Sequence, residues 1–172
     1  MDITQLILDD HAEQRRLFAI LEQIDAGDTD ALTKVWGRLA AFLDAHAEAE
    51  ERFFYPALLK LGQGANDADD GTVEGETGDA IKGHNKLRDA VKAVAKYPVG
   101  TGAWIEAVGK ANVVNSDHMG EEERQGLTDF RRHASLQTRH DLAVRFAAFQ
   151  AAHVTGVKPV NKDPDAYVET NG

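Results

Sequence analysis

The sequence predicts an all-α protein, built as an antiparallel up-and-down four-helix bundle with an additional C-terminal helix and a flexible tail. Long stretches carry apolar side chains at helical spacing, and clusters of Gly, Asp and Pro separate them. No stretch has the alternating pattern of a convincing strand. The 172 residues are 42% hydrophobic, which is typical of a globular chain with a core. We expect one domain over residues 1–153 and the flexible tail over residues 154–172.

Apolar side chains recur at helical spacing in five segments, of which the first four form the predicted bundle. Asp28 or Thr29 can cap the second helix, because side chains of this kind accept hydrogen bonds from the first free amides. Pro56 lies near the end of that helix and should kink it or mark its last turn. The five helices are predicted at roughly 3–25, 30–61, 78–97, 102–131 and 135–152.

Two segments lack this apolar pattern. Residues 61–78 are rich in Gly, Asp and Asn, which predicts a polar connector. The C-terminal tail contains two prolines and few apolar residues, so we expect it to be disordered or to lie on the surface. For the fifth helix the simplest expectation is packing against the bundle through Leu142, Phe146 and Phe149.

Charge and composition exclude several classes of function. The net charge is −10, which argues against non-specific binding to nucleic acid or to anionic membranes. The chain has no cysteine, which excludes disulfides, thiolate zinc sites and a cysteine nucleophile. The N-terminus lacks the features of a signal peptide, and no apolar run approaches the ~18 residues of a membrane span. We therefore expect a cytoplasmic protein without a nucleic-acid or membrane partner.

Four of the seven histidines fall one on each of the four main predicted helices. Two of them begin the same short motif, HAEAE at His46–Glu50 and HMGEE at His118–Glu122. Residues four apart lie on one helix face, with Cβ atoms about 5–6 Å apart. Each motif therefore places an imidazole beside a carboxylate on the inward face of its helix.

These residues also repeat along the chain. The interval from His46 to His118 equals that from Glu50 to Glu122, and a helix with a single histidine precedes each motif. A lone histidine on an apolar face is more often a hydrogen-bonded core residue, but matched spacings favour a shared purpose. Imidazole and carboxylate together suit iron, and also manganese or zinc. We predict a two-metal site in the bundle, bridged by the two carboxylates and formed by His11, His46, Glu50, His84, His118 and Glu122.

The remaining charged neighbours are assigned to other roles. His133, His140 and His153 fall outside the repeat and are expected at the surface or its boundary. A ligating histidine usually donates its second N–H to a carboxylate, for which Asp10 or Asp117 is available. The acidic neighbours of the two motifs are expected on the solvated sides of their helices; they are Glu48, Glu51, Glu121 and Glu123. An apolar shell around the site is expected from Phe53, Phe54, Trp36 and Trp104.

Tyr55 is a further candidate, with a catalytic role. It follows Glu50 by five residues and would point ~140° away from it in a regular helix. Pro56 follows, however, and a residue before proline is pushed away from α geometry. The phenol could then swing towards the site as a ligand, hydrogen-bond donor or radical carrier. The alternative is a tyrosine at the edge of the core.

At these residues the sequence resembles the hemerythrin-like family, the HHE cation-binding domains. The order His, HxxxE, His, HxxxE and the segment ERFFYP after the first motif carry the resemblance, which covers about residues 3–130. It implies a non-haem di-iron centre of two iron ions with an oxo or hydroxo bridge. The matching positions are the six residues predicted above.

Oxygen-carrying hemerythrins resemble this chain less. They have a second histidine on the third helix, where Arg88 stands here, and an aspartate one residue beyond the position of Glu122. The chain looks more like the mycobacterial type of hemerythrin-like protein. That resemblance implies an oxidoreductase acting on hydrogen peroxide, by catalase-like decomposition or by peroxide-dependent oxidation of nitric oxide. Binding or sensing of dioxygen, nitric oxide or iron without turnover is the alternative, and a metal-free interaction protein is a third.

Overall fold

The computed structural model describes residues 1–64 and 71–172, and within these ranges it is all-α without a strand. A π-helical turn, Glu50–Phe54, joins the second helix to the third. The predicted fold class is thereby confirmed. The α-helices of the described chain are α1 Ile3–Gln23, α2 Thr29–Ala49, α3 Tyr55–Leu61, α4 Val73–Val94, α5 Gly102–Arg124, α6 Gly126–His133, α7 Leu136–Ala152 and α8 Pro164–Asn171.

Helices α1, α2, α4 and α5 form the bundle. Helix α1 packs on α2, α4 packs on α5, and α7 lies against α1, α2 and the π-helical turn. Asp28 caps α2 by accepting a hydrogen bond from the amide of Ala31, as expected from the sequence. None of the described helices is both long enough and apolar enough to cross a bilayer.

Two helix boundaries differ from the prediction. Helix α4 begins at Val73, because the Thr72 hydroxyl caps it and Val73 is buried. The predicted connector is therefore shorter, and its residues 65–70 lie outside the described part of the chain. The predicted fourth helix is divided at Gln125, whose φ of −102° and ψ of −90° are not helical.

The apolar interior consists of two clusters at opposite ends of the bundle, the first core and the second core. On each bundle helix the predicted metal ligands lie between them; on α1, for example, His11 separates Ile7 of the first core from Leu17 of the second. The first core is centred on Ile3, Ile7, Phe54, Tyr55, Leu58, Ile81, Phe130 and Phe146. The second core is centred on Leu17, Phe18, Leu32, Leu39, Leu43, Leu87, Val94 and Trp104.

The C-terminal region is more ordered than the sequence suggested. Phe146 is fully buried in the first core, and Leu142 and Phe149 pack against it, as expected. The predicted flexible tail, in contrast, ends in α8. Asp163 caps this helix, and Tyr167 is buried to 8% exposure. Tyr167 thus provides an aromatic anchor for a segment whose overall apolar content is low.

Candidate metal centre

All six predicted metal ligands come together between the two cores, and none is more than 5% exposed. Nitrogen and carboxylate oxygen atoms of His11, His46 and Glu50 lie within 4.8 Å of one another, and so do those of Glu50, His84 and His118. Glu50 therefore belongs to both groups. The sixth residue closes the arrangement, since Glu122 Oε2 lies 3.2 Å from His11 Nε2.

Glu50 faces both halves of this arrangement. Its Oε1 lies 2.9 Å from His46 Nε2, and its Oε2 lies 3.1 Å from His84 Nε2. One carboxylate thus presents one oxygen to each pair of imidazoles. This is the disposition that a carboxylate needs to bridge two cations.

Several buried polar atoms at this point form no well-aligned hydrogen bond with the described residues, although His46 Nε2 and Glu50 Oε1 lie only 2.9 Å apart. Leaving such atoms unpaired in an apolar interior costs free energy, so they need an explanation. Cations bound in the two groups would satisfy these atoms, and their nitrogen and oxygen character fits iron, manganese or zinc. The unpaired atoms are His11 Nε2, His46 Nε2, His118 Nε2, Glu50 Oε1 and Glu122 Oε2.

Three of the four imidazoles are held from behind by a carboxylate on Nδ1. The Nδ1 to oxygen distances are 2.9 Å from His11 to Glu123, 2.9 Å from His46 to Asp10, and 2.7 Å from His84 to Glu51. Since a carboxylate accepts, Nδ1 carries a proton, and with a metal ion bound Nε2 would present its lone pair to the centre.

The sequence expectations for these carboxylates were correct only in part. Asp10 lies where predicted, whereas Asp117 is exposed and Glu121 is solvated as expected. The prediction of a solvated Glu51 is wrong, because its side chain is fully buried. Glu123 is 27% exposed and bonds to His11 on one side while pairing with an arginine of α1 on the other. Glu48 is also largely buried, at 14% side-chain exposure.

Arg88 explains how Glu51 stays charged in the interior. Its Nη2 donates to Glu51 Oε1 over 2.8 Å, and only 6% of Arg88 is exposed. Burial alone would raise the pKa of Glu51, but His84, Arg88 and Lys162 outweigh it and lower that pKa to about 2. Arg88, which stands where oxygen-carrying hemerythrins have a second histidine, thus stabilises the charge of Glu51, the carboxylate that bonds to the His84 ring.

The imidazoles differ in protonation when no metal is bound. Burial would lower the pKa of His46, but Glu50 and Asp10 outweigh it and raise that pKa well above its ordinary value. Burial together with the neighbouring His84 lowers the pKa of His118 well below its ordinary value. His118 also packs against Gly83, where a Cβ would lie 2.7 Å from its Nδ1. His118 is therefore neutral and closely packed, while His46 is cationic.

Tyr55 reaches the site, although not for the predicted reason. Its backbone is α-helical, with φ −64° and ψ −37°, so Pro56 does not divert it. Its amide instead bonds to the Glu50 carbonyl five residues back, and this wider π-helical turn winds Tyr55 over Glu50. The phenol is 1% exposed and donates to Glu122 Oε1 over 2.9 Å. Burial, then Glu122, raise the pKa of Tyr55 well above its usual value, so it stays protonated.

The aromatic shell differs from the expectation. Phe42 and Phe146 lie with ring centroids 6.2 and 6.1 Å from His46. Trp36 and Trp104 pack against each other in the second core instead, so their assignment to the shell was wrong. Phe54 does contribute, through a contact with the Tyr55 ring at 5.3 Å.

The other three histidines stay outside the centre. His133 lies 2.6 Å from a carboxylate oxygen of Asp129, and His140 is exposed. His153 stacks on Phe149 at 4.1 Å between ring centroids. These placements agree with their predicted surface or boundary positions.

A small cavity leads to the centre. Its volume is about 20 Å³, and Tyr55, His118 and Glu122 form part of its wall. One water molecule needs roughly 10–15 Å³ by this measure. The cavity thus admits molecules of the size of water or a diatomic. His118 also borders an open cleft of about 590 Å³ between α4 and α5.

Comparison with known proteins identifies the family of this chain. Searches among curated proteins and among solved structures found no match. The family model of the hemerythrin HHE cation binding domain matches residues 2–129. That span contains all six residues of the centre but ends before α7 and α8. Since it covers well over half of the chain, this protein belongs to the hemerythrin HHE cation-binding family.

Proposed function

We propose that this protein is a non-haem di-iron oxidoreductase that decomposes hydrogen peroxide. One observation carries the proposal. Buried nitrogen and carboxylate oxygen atoms from the four bundle helices converge between the two cores in two groups that share Glu50, and most of these atoms are unpaired. A bundle core built in this way is suited to two metal ions, and its imidazole and carboxylate set is suited to iron.

In this proposal each metal has two imidazoles and shares two carboxylates. His11 and His46 would hold one ion, and His84 and His118 the other. Glu50 would hold both ions, because its two oxygens face opposite halves of the centre. Glu122 would be the sixth ligand and the second shared carboxylate. Bound iron supplies the reversible changes of oxidation state that let the centre exchange electrons with peroxide.

The Tyr55 phenol would supply a hydrogen bond to the peroxide. Two peroxide molecules give two waters and one dioxygen: one is reduced with two electrons and two protons, and the other releases the same number. Tyr55 keeps its proton on the phenol oxygen and points it at Glu122, beside the small cavity. A peroxide in that cavity could accept a hydrogen bond from the Tyr55 phenol, which would orient it beside the centre.

The small cavity is suited to small substrates. A volume of about 20 Å³ suits hydrogen peroxide, dioxygen and nitric oxide. Peroxide-dependent oxidation of nitric oxide is the second activity that this size supports. Dioxygen or nitric oxide can bind at the same place.

Steady-state turnover by iron-loaded protein tests the proposal. We expect one dioxygen per two peroxides, continuing far beyond one peroxide per centre. Glu50→Ala and His118→Ala should lose iron and turnover together, whereas His140→Ala, an exposed matched control, should retain both. Consumption that stops after one peroxide per centre would favour a binding or sensing protein. Full turnover by an iron-free variant would place the reaction elsewhere.

A further inference from the structure

The C-terminal segment contacts the carboxylates that orient the imidazoles, although it lies outside the matched family domain. Gln150 of α7 donates to Asp10, which holds His46. Lys162, just before α8, forms an ion pair with Glu51, which holds His84. Each half of the centre is therefore reached from beyond residue 129.

The contacts at Glu51 are the more extensive of the two. Glu51 Oε1 accepts from Arg88 and faces His84 Nδ1, while Oε2 pairs with Lys162. The phenol of Tyr167 donates to the backbone oxygen of Glu51, fixing the main chain as well as the side chain. Three residues thus hold Glu51 against His84, and two of them, Lys162 and Tyr167, belong to the C-terminal segment.

The segment is itself anchored where it passes α4. The Asn85 side chain donates to the backbone oxygen of Lys162 over 2.7 Å and accepts from its amide over 3.0 Å. Lys162 Nζ also lies 3.1 Å from Glu48 Oε2. These contacts set Lys162 at one height along α4, next to His84. A loose surface tail would have no need for paired main-chain hydrogen bonds.

We propose that Lys162 and Tyr167 are positioning residues for the metal ion held by His84 and His118. They fix Glu51, and Glu51 fixes the His84 ring, which would hold the metal ion through Nε2. The proposal rests on the two-metal centre proposed above. Its consequence is selective: loss of these contacts loosens one metal ion and leaves the other, on His11 and His46, in place.

Chelator-driven metal release from the full-length, iron-loaded protein tests this selectivity. The variant is Lys162→Met combined with Tyr167→Phe. Partners behind a metal ligand commonly change metal affinity by about 10–100-fold. We expect one of the two ions to leave the variant about 10-fold faster or more, with the second ion released at the wild-type rate. When Lys162→Arg replaces Lys162→Met in this variant, release should be slow again, because arginine keeps the positive charge. Lys158→Met, an exposed lysine of the same segment, is the matched control.

Each other outcome overturns the proposal. Wild-type release of both ions from the double variant would show that Glu51 needs no C-terminal partner. Equal acceleration of both ions, with a lower melting temperature of the iron-free variant, would show general destabilisation. A wild-type protein that takes up fewer than two ions would refute the two-metal centre itself. Because release is measured without peroxide, failure of the catalytic proposal does not alter these readings.

Discussion

Replacing Gly83 by alanine perturbs the centre at its most closely packed point. The added Cβ would lie 2.7 Å from His118 Nδ1, while ordinary contact begins at 3.4 Å. The ring must therefore move by about 0.7 Å, the difference between these distances. Metal–ligand distances vary by only about ±0.2 Å, so a His118 ring displaced this far would no longer lie at bonding distance from a metal ion in the centre.

The same contact determines how Gly83→Ala changes the free energy of unfolding. An alanine in a helix interior is favoured over glycine by about 0.5–1 kcal/mol. Overpacking a closed interior costs about 1–3 kcal/mol. Gly83→Ala should thus be neutral or destabilising by up to roughly 2.5 kcal/mol. Gly78 lies on the same helix with nothing within 4 Å of its added Cβ, so Gly78→Ala should be stabilising by about 0.5–1 kcal/mol.

Urea denaturation of the iron-free variants and iron content after loading separate these effects. We expect Gly83→Ala to be less stable than Gly78→Ala by about 1–3 kcal/mol and to retain less iron. If the two variants have the same midpoint and both load two irons, the close approach of Gly83 to His118 has no energetic meaning. The position of His118 would then not depend on its contact with Gly83.

Three further predictions concern the protons and the metal. Tyr55→Phe removes a charged hydrogen bond to Glu122 and should cost about 1.5–3 kcal/mol in urea denaturation of the iron-free protein, so an unchanged midpoint would contradict it. The raised pKa values of His11, His46 and His84 mean that their stabilisation is complete below pH 6.5 and is lost as pH rises through the raised values. Denaturation at several pH values should therefore show the iron-free protein weakening above pH 6.5, and constant stability from pH 6 to 8.5 would exclude protonated rings. Because bound iron would satisfy the unpaired ligand atoms, free iron at a hundredfold excess over the dissociation constant should stabilise the protein by about 2.7 kcal/mol for each ion bound. Equal melting of the loaded and the iron-free protein would argue against binding at this point.

The sequence predicted the features that depend on local spacing. His46 and Glu50 lie four residues apart among apolar neighbours, and that pattern directly indicates an inward helix face. The same reasoning on the other helices placed six polar side chains at one level, and the structure brings them together. Their role as metal ligands stays a prediction.

Glu51 could not be predicted in this way. In an α-helix it would lie about 100° round from Glu50, on a face expected to meet solvent. Glu51 is instead paired with Arg88 and Lys162, which are distant from it in sequence. Arg88 was the available signal, because it lies four residues after His84 on the same helix face, where an inward arginine needs an acidic partner.

The C-terminal contacts escaped prediction for another reason. Tyr167 bonds to Glu51 across 116 residues of sequence, and periodicity reports only on neighbours along the chain. The segment also has too few apolar residues to indicate burial. Its order depends on one aromatic ring and on hydrogen bonds to α4, which local patterns do not reveal.

The division of the interior into two cores has a consequence for how the protein unfolds. The layer between them holds cationic imidazoles and carboxylates in the iron-free state, so dispersion contacts do not run unbroken from Ile7 to Leu17. Metal ions in this layer would tie all four bundle helices at mid-length. We therefore expect bound iron to couple the unfolding of the two ends of the bundle. Amides near the two ends should exchange hydrogen independently in the iron-free protein and as one cooperative unit when iron is bound.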